Sequence, residues 1–199
     1  MKKIVAIVIA VVTLLTMAGC EKKLEADGTP VNDLLLESGI LKVGMELKVP
    51  PMEALDEEMK PVGFDVDLIY AVAEKLGVKV EIVDTTEKNL LPSLGAKVYD
   101  CAISTIPITE DNQKEYYVTR PYADITLIKD QISNKEAEGQ LGIFVSRKNG
   151  QLMLRIDKAL EELRSEGKVS ELSQQYFGTD ITEAVSYTHL RAHETGRNL

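Results

Sequence analysis

Few side chains in this sequence could do chemistry. Its two histidines, His189 and His193, both fall in the final stretch, so residues 20–184 hold none. That removes histidine catalysis and histidine metal ligation from the main body of the chain. Cys20 and Cys101 are far apart and belong to no metal-type cluster. Cys101 sits in an apolar run with nothing basic beside it, and reads as a small buried strand residue, not a reactive thiol. Glu46 remains, a loop carboxylate just after a strand, able to act as an acid or to receive a cation. Thr109 opens a helix whose N–H groups could hold an anion weakly. Met52 reads equally as a soft apolar wall for a ligand or as cover for the core. No nucleophile elbow and no metal motif is present.

Charge narrows the classes further. The chain carries 23 Lys+Arg against 32 Asp+Glu. Five charged residues lie outside 20–184, namely Lys2, Lys3, Arg191, Glu194 and Arg197, so the acidic excess of the main body is larger still. Nucleic acid is excluded as a partner, as is an anionic lipid surface. Acidic runs such as Glu161-Glu162 read as the solvated face of a helix.

The two ends differ from what lies between them. Met1-Lys2-Lys3, the apolar run Ile4 to Leu15 and then Met17-Ala18-Gly19-Cys20 read as an export signal too short to span a bilayer. It resembles a lipoprotein signal over residues 1–19, which implies lipidation of Cys20 and anchoring to the outer face of the cytoplasmic membrane. Residues 20–30 read as a polar tether. At the other end, 185–199 lacks hydrophobic periodicity and resembles the translation of a sequencing-library adapter, so it is expected to be artefactual.

Between these ends, strand and helix patterns alternate. A small helix from Asn32 to Glu37 is expected to stop at Ser38-Gly39, before a strand at Leu41 to Gly44. In the block from Gly63 to Gly77, apolar positions 68, 69, 72, 73 and 76 share one helical face. Asp65 and Asp67 suit its positive start and Gly77 its end. Strands are expected at Val78 to Val83, Asp100 to Ser104, Asp124 to Ile128 and Gly142 to Ser146. Helices are expected at Leu90 to Leu94, Gln151 to Glu166 and Ser170 to Phe177. The order βαβαβ predicts an α/β fold with a doubly wound parallel sheet.

These residues carry a resemblance to the bacterial extracellular solute-binding proteins of the amino-acid-importer type, family 3. The Gly63 to Leu76 block fits that family's signature at every position. Pro50-Pro51-Met52-Glu53, Tyr99-Asp100, Ile108-Thr109, Pro121-Tyr122, Arg147-Lys148-Asn149 and Tyr176-Phe177-Gly178 surround it in the family's order. The resemblance spans about residues 31–180. It implies a periplasmic-binding-protein type II-like fold of two lobes that clamp a ligand between them. It also implies an exported importer component that needs no cofactor, meets an ABC permease, and takes amino acids or similar small polar solutes.

The same resemblance nominates site residues. Relatives hold the ligand carboxylate with a hydroxyl residue, with backbone groups at a strand end, and with an arginine. Here those positions are Pro107, Ser104-Thr105 and Asn112, so hydroxyl and guanidinium are both absent. Val49 replaces a stacking aromatic, and Arg120 lies where relatives vary freely. Glu46 aligns with an acidic position that reaches polar or basic ligand side chains. The ligand set is therefore Glu46, Met52, Ser104, Thr105, Thr109 and Asn112, with Tyr116-Tyr117 as rim packing.

One lobe is expected to be largely absent. Lobe one spans 31–128, residues 129–140 hold a remnant junction near Lys135-Glu136-Ala137-Glu138, and 141–180 return to lobe one. The stretch from Tyr122 to Gly142 is too short for several βαβ units of about 30 residues each. A truncated or misassembled gene explains such a cut. Half a cleft leaves a ligand partly solvated, so binding no tighter than about millimolar is expected. The alternatives are an enzyme on the same fold, such as a cyclohexadienyl-type dehydratase with Glu46 as its acid, or a ligand-sensing domain.

Overall fold

The structure is a computed structural model that describes residues 24–133 and 137–182. The expectations for the export signal, for Cys20, for the start of the tether and for the 185–199 tail lie outside the described residues. Lys135 and Glu136 of the expected junction do as well.

Strand β1 (Ile40–Met45) is the spine of the lobe. It pairs in parallel with β5 (Lys79–Asp84), from Ile40 opposite Lys79 to Met45 opposite Asp84. On its other side it pairs in parallel with β6 (Cys101–Ala102). Leu41, Val43 and Met45 point to one face of the sheet and are wholly buried there, in the core cluster that holds Leu68, Ile69 and Val72. Helix α2 (Phe64–Leu76) buries Leu68, Ile69, Val72 and Ala73, the expected stripe, and Gly77 caps it at φ 71° in the left-handed region. On the same face, α5 (Gly150–Ser165) and α6 (Lys168–Phe177) pack against α2. Helix α3 (Glu87–Gly95) covers the opposite face, where Leu90 and Leu94 meet Tyr99, Ala102 and Phe144.

The expected parallel βαβαβ sheet is present in β5-β1-β6, and antiparallel strands extend it. Its order is β5-β1-β6-β10-β7, and β10 (Phe144–Ser146) runs antiparallel to both β6 and β7 (Tyr116–Val118). Strand β10 enters from the far side of the molecule through β9 (Gln140–Leu141), which is itself paired antiparallel with β8 (Ala123–Asp124). The strand expected from Asp124 to Ile128 ends at Asp124. There the Asp124 carboxylate accepts the Thr126 N–H at 3.0 Å, capping a 3-10 helix over Ile125–Ile128. The strand expected from Gly142 begins at Phe144, beyond the Val118 and Ile108 side chains that crowd Gly142. The first helix, α1 (Val31–Leu34), ends before Leu35, which is extended.

Two small features were not anticipated. Strands β2 (Lys48–Val49), β3 (Glu53–Leu55) and β4 (Pro61–Val62) form an antiparallel sheet beside the lobe's main sheet. Asp100 clasps the chain's entry to the sheet: its oxygens accept the Leu36 N–H at 2.7 Å and the Lys42 N–H at 2.9 Å. Hydrogen bonds to a charged group contribute about 1.5–3 kcal/mol each and are not additive. Asp100→Ala is therefore expected to lower stability by about 3 kcal/mol, on the order of 10 °C in Tm. Calorimetry that finds less than 1 °C would show the clasp to be idle.

Candidate functional site

Parallel strands align their carboxyl ends, so the loops after β1, β5 and β6 meet along one edge of the sheet. Glu46 and Leu47 leave β1 there, Thr85 leaves β5, and Ser104 and Thr105 leave β6. The segments are stitched together: the Glu46 N–H donates to Ser104 Oγ at 3.4 Å, and the Leu47 N–H to Asp84 Oδ1 at 3.3 Å. The Glu46 side chain is half-buried and makes no ion pair among the described residues, leaving its carboxylate available to a ligand.

Ser104 and Thr105 are nearly buried, and their donors are already in use. Glu53 Oε1 accepts the Ser104 hydroxyl at 2.6 Å, the Thr105 hydroxyl at 2.7 Å and the Thr105 N–H at 3.0 Å. With both hydroxyl protons turned onto Glu53, what these side chains keep for anything else is lone pairs. Asn112 is likewise occupied. Its Oδ1 accepts the Thr109 N–H at 2.9 Å, its Nδ2 donates to the Pro107 carbonyl at 2.8 Å, and its own N–H donates to Thr109 Oγ1 at 3.2 Å. This capping box satisfies the start of α4 (Glu110–Glu115), a helix of less than two turns with Glu110 and Asp111 in its first turn. The anion site expected at Thr109 is thus weakened: the Thr109 and Asn112 N–H groups are spent within the box and two carboxylates adjoin it.

Other nominated residues have structural places. Met52 is 0% exposed and belongs to the main core, which resolves its double reading in favour of core cover. Val49 is buried in the same cluster. Arg120 is turned away to α5, where it meets Asp157 at 3.0 Å and Glu161 at 2.7 Å. Burial seals Cys101 and pushes its thiol up, so it stays protonated. Tyr116 joins the minor core, and the Tyr117 ring lies 4.9 Å from the Arg147 guanidinium. Of the nominated set, Glu46, Ser104 and Thr105 are brought together. Thr109 and Asn112 form a neighbouring, self-contained unit.

The group the sequence reading missed lies directly beneath. Burial pushes the Glu53 carboxyl up to about 7, against the hydrogen bonds from Ser104 and Thr105 that lower it. Asp65, in the first turn of α2, is 0% exposed; burial first, and then the charge of Glu53, hold it well above the usual carboxylate range. The buried Tyr122 phenol completes the group, raised by burial and then by the two carboxyls. The sequence placed Asp65 only as an acid suited to the positive start of its helix. The available signal was the apolar company of both residues, Val49 to Leu55 and Phe64 to Val66.

A match across residues 41–179 decides the family. The chain belongs to the bacterial extracellular solute-binding proteins, family 3. Among relatives of this family, L-cystine-binding protein TcyJ of Escherichia coli is 31% identical over 112 residues, 56% of this chain and 42% of that protein. Cyclohexadienyl dehydratase of Pseudomonas aeruginosa is 37% identical over 90 residues, 45% of this chain and 34% of that protein. The chain thus spans about a third to two fifths of the length of these curated relatives. A crystal structure of the arginine-bound form of domain 1 from TmArgBP is 38% identical, with a TM-score of 0.54, over 63% of this chain and 94% of that one. The fold is that of one lobe of a type II periplasmic binding protein, and amino-acid-binding proteins prevail among its relatives.

Proposed function

We propose that the protein is the substrate-binding lipoprotein of an ABC importer, exported and tethered through Cys20, and that its ligand is a small solute bearing a cationic group, of the arginine type. The observation that carries the ligand class is the state of the strand end. The Ser104 and Thr105 hydroxyls donate to Glu53, the Asn112 amide spends one of its two N–H donors on Pro107, and Glu46 lies open beside them. Such a surface receives donors and repels carboxylates. The arginine-bound one-lobe relative supports the same reading, because it holds its ligand without a second lobe. In this chain residues 125–139, between β8 and β9, stand where the second lobe would be inserted, so the ligand stays partly solvated. Affinity near millimolar, about 4 kcal/mol, is expected.

NMR titration against arginine, lysine, glutamate and aspartate tests this. Arginine or lysine should bind at least tenfold more tightly than either acid, and Glu46→Gln should remove most of that preference. Equal binding of glutamate, or silence toward both cations, would overturn the ligand class. The dehydratase likeness supports a second reading in which the chain descends from an enzyme. That reading would rest on Glu46, the open carboxylate, as its acid, because Glu53 is 0% exposed and cannot meet a substrate.

A further inference from the structure

We propose that Glu53 and Asp65 hold a single proton between them at neutral pH, and that this proton makes Glu53 the positioning residue of the strand end. The argument begins with atoms. Glu53 Oε1 accepts three hydrogen bonds, the load of an ionised carboxylate. Glu53 Oε2, both oxygens of Asp65 and the Tyr122 hydroxyl are buried, and none closes a hydrogen bond of ordinary geometry, although Asp65 interacts with both of its neighbours. If both carboxyls were ionised, three buried acceptors would share one donor, the Tyr122 O–H. A proton on Asp65 that points at Glu53 Oε2, with the Tyr122 O–H turned to the other Asp65 oxygen, matches all four atoms.

Among the described residues, no cation from a neighbouring element offers another solution. Strand β3 brings Glu53 itself and the start of α2 brings Asp65 and Asp67, the latter occupied by the Tyr176 hydroxyl of α6 at 2.6 Å. The loop after β6 brings Ser104 and Thr105, and the segment before β8 brings Tyr122. None of these groups is a cation, so two full negative charges would stand unpaired in a medium of low dielectric. The proton removes one of them and leaves the other on the oxygen that holds the site. Glu53 thereby fixes the rotamers of Ser104 and Thr105 and leaves them as acceptors, one lone pair of Ser104 taking the Glu46 N–H. Glu53 does not touch ligand; it acts through the two residues that do.

The sign of the pH effect follows. Burial raises both carboxyls, Glu53 to about 7 and Asp65 well above its usual range, so the folded pair keeps protons that the unfolded chain has lost at about 4. The folded state then binds more protons above about pH 4, and stability falls as pH rises through 7 and on until the Asp65 proton is lost. Thermal unfolding of the full chain from pH 5 to 9, beside Glu53→Gln and Asp65→Asn, is the test. The wild type should lose stability steadily from pH 5 through pH 7 and beyond, and both variants should follow a flatter curve. Infrared difference spectra at pH 8 should show a protonated carboxyl that Asp65→Asn abolishes. With arginine as the probe, Asp65→Asn, whose amide can still donate to Glu53, should change affinity less than threefold. Glu53→Gln should weaken it at least tenfold. Parallel pH curves for wild type and variants, or no protonated carboxyl at pH 8, would overturn the shared proton. The affinity arm alone rests on the proposed ligand class: if wild type ignores arginine, that class fails while the stability and infrared arms still decide. Should Glu53→Gln not fold, the Asp65→Asn curve and spectrum are sufficient to reject the idea.

Discussion

Gly63→Ala should cost the protein at least about 4 kcal/mol, enough to drive much of it into the unfolded or insoluble fraction at 37 °C. Gly63 has φ 132° and ψ 176°, a conformation open essentially to glycine alone. A Cβ there would lie 2.3 Å from the Met52 carbonyl oxygen and 2.7 Å from its carbon. Relief would need the 51–52 turn to withdraw, yet that turn is held from both sides of the new methyl. The Phe64 N–H donates to Pro51 O at 3.1 Å and the Asp65 N–H to Met52 O at 2.9 Å. Gly77→Ala is the control. Gly77 also has positive φ, but nothing lies within 4 Å of its Cβ position, so only the left-handed penalty of about 1–2 kcal/mol applies. Urea unfolding that places the two variants within 1 kcal/mol of each other would show that the close approach is harmless.

Phe64→Ala is expected to cost about 3–5 kcal/mol, the range for emptying a large aromatic site. Its ring is wholly buried, with the Phe177 centroid at 5.3 Å, Tyr122 at 6.2 Å and Tyr176 at 6.4 Å. Aromatic pairs of this kind add about 0.5–1.5 kcal/mol each beyond burial. The effect should also be directional. Loss of Phe64 removes the support shared by α6 and Tyr122, so amide exchange in Lys168–Phe177 should accelerate more than in β1. Uniform acceleration across both elements would argue that Phe64 contributes bulk alone.

Where the sequence repeats a pattern over several turns or strand positions, it was legible. The stripe at positions 68, 69, 72, 73 and 76 fixed α2, and the closing helices were equally plain. Direction was not legible: nothing in Phe144-Val145-Ser146 says that β10 runs against β6, because a strand's apolar content is the same read either way. The β2, β3 and β4 strands are too short to display a period of two. At the candidate site the nominated residues were located by their likeness to a family, and Glu46, Ser104 and Thr105 do converge. What likeness could not convey was where their protons go. An acid in a helix's first turn looks the same in sequence whether it faces water, as such residues usually do, or a buried partner, as Asp65 does. The difference lies in Tyr122 and Glu53, which come from elsewhere in the chain.

The pairing of β8 with β9 has a practical side. Asp124 and Gln140 stand opposite each other as antiparallel neighbours, about 5 Å apart as such pairs are. All that joins them is the excursion over residues 125–139. Ile125, Ile128, Ile132 and Ala137 of this excursion sit in the main core, so a foreign domain whose own ends lie that close could be inserted beside the exposed Asp130 and Gln131 with those four left in place. The lobe is thus a socket with a ready-made plug point. A fluorescent reporter seated there would stand beside Lys48, whose carbonyl already receives the Ser133 hydroxyl, and would sense events at the strand ends from one turn of chain away.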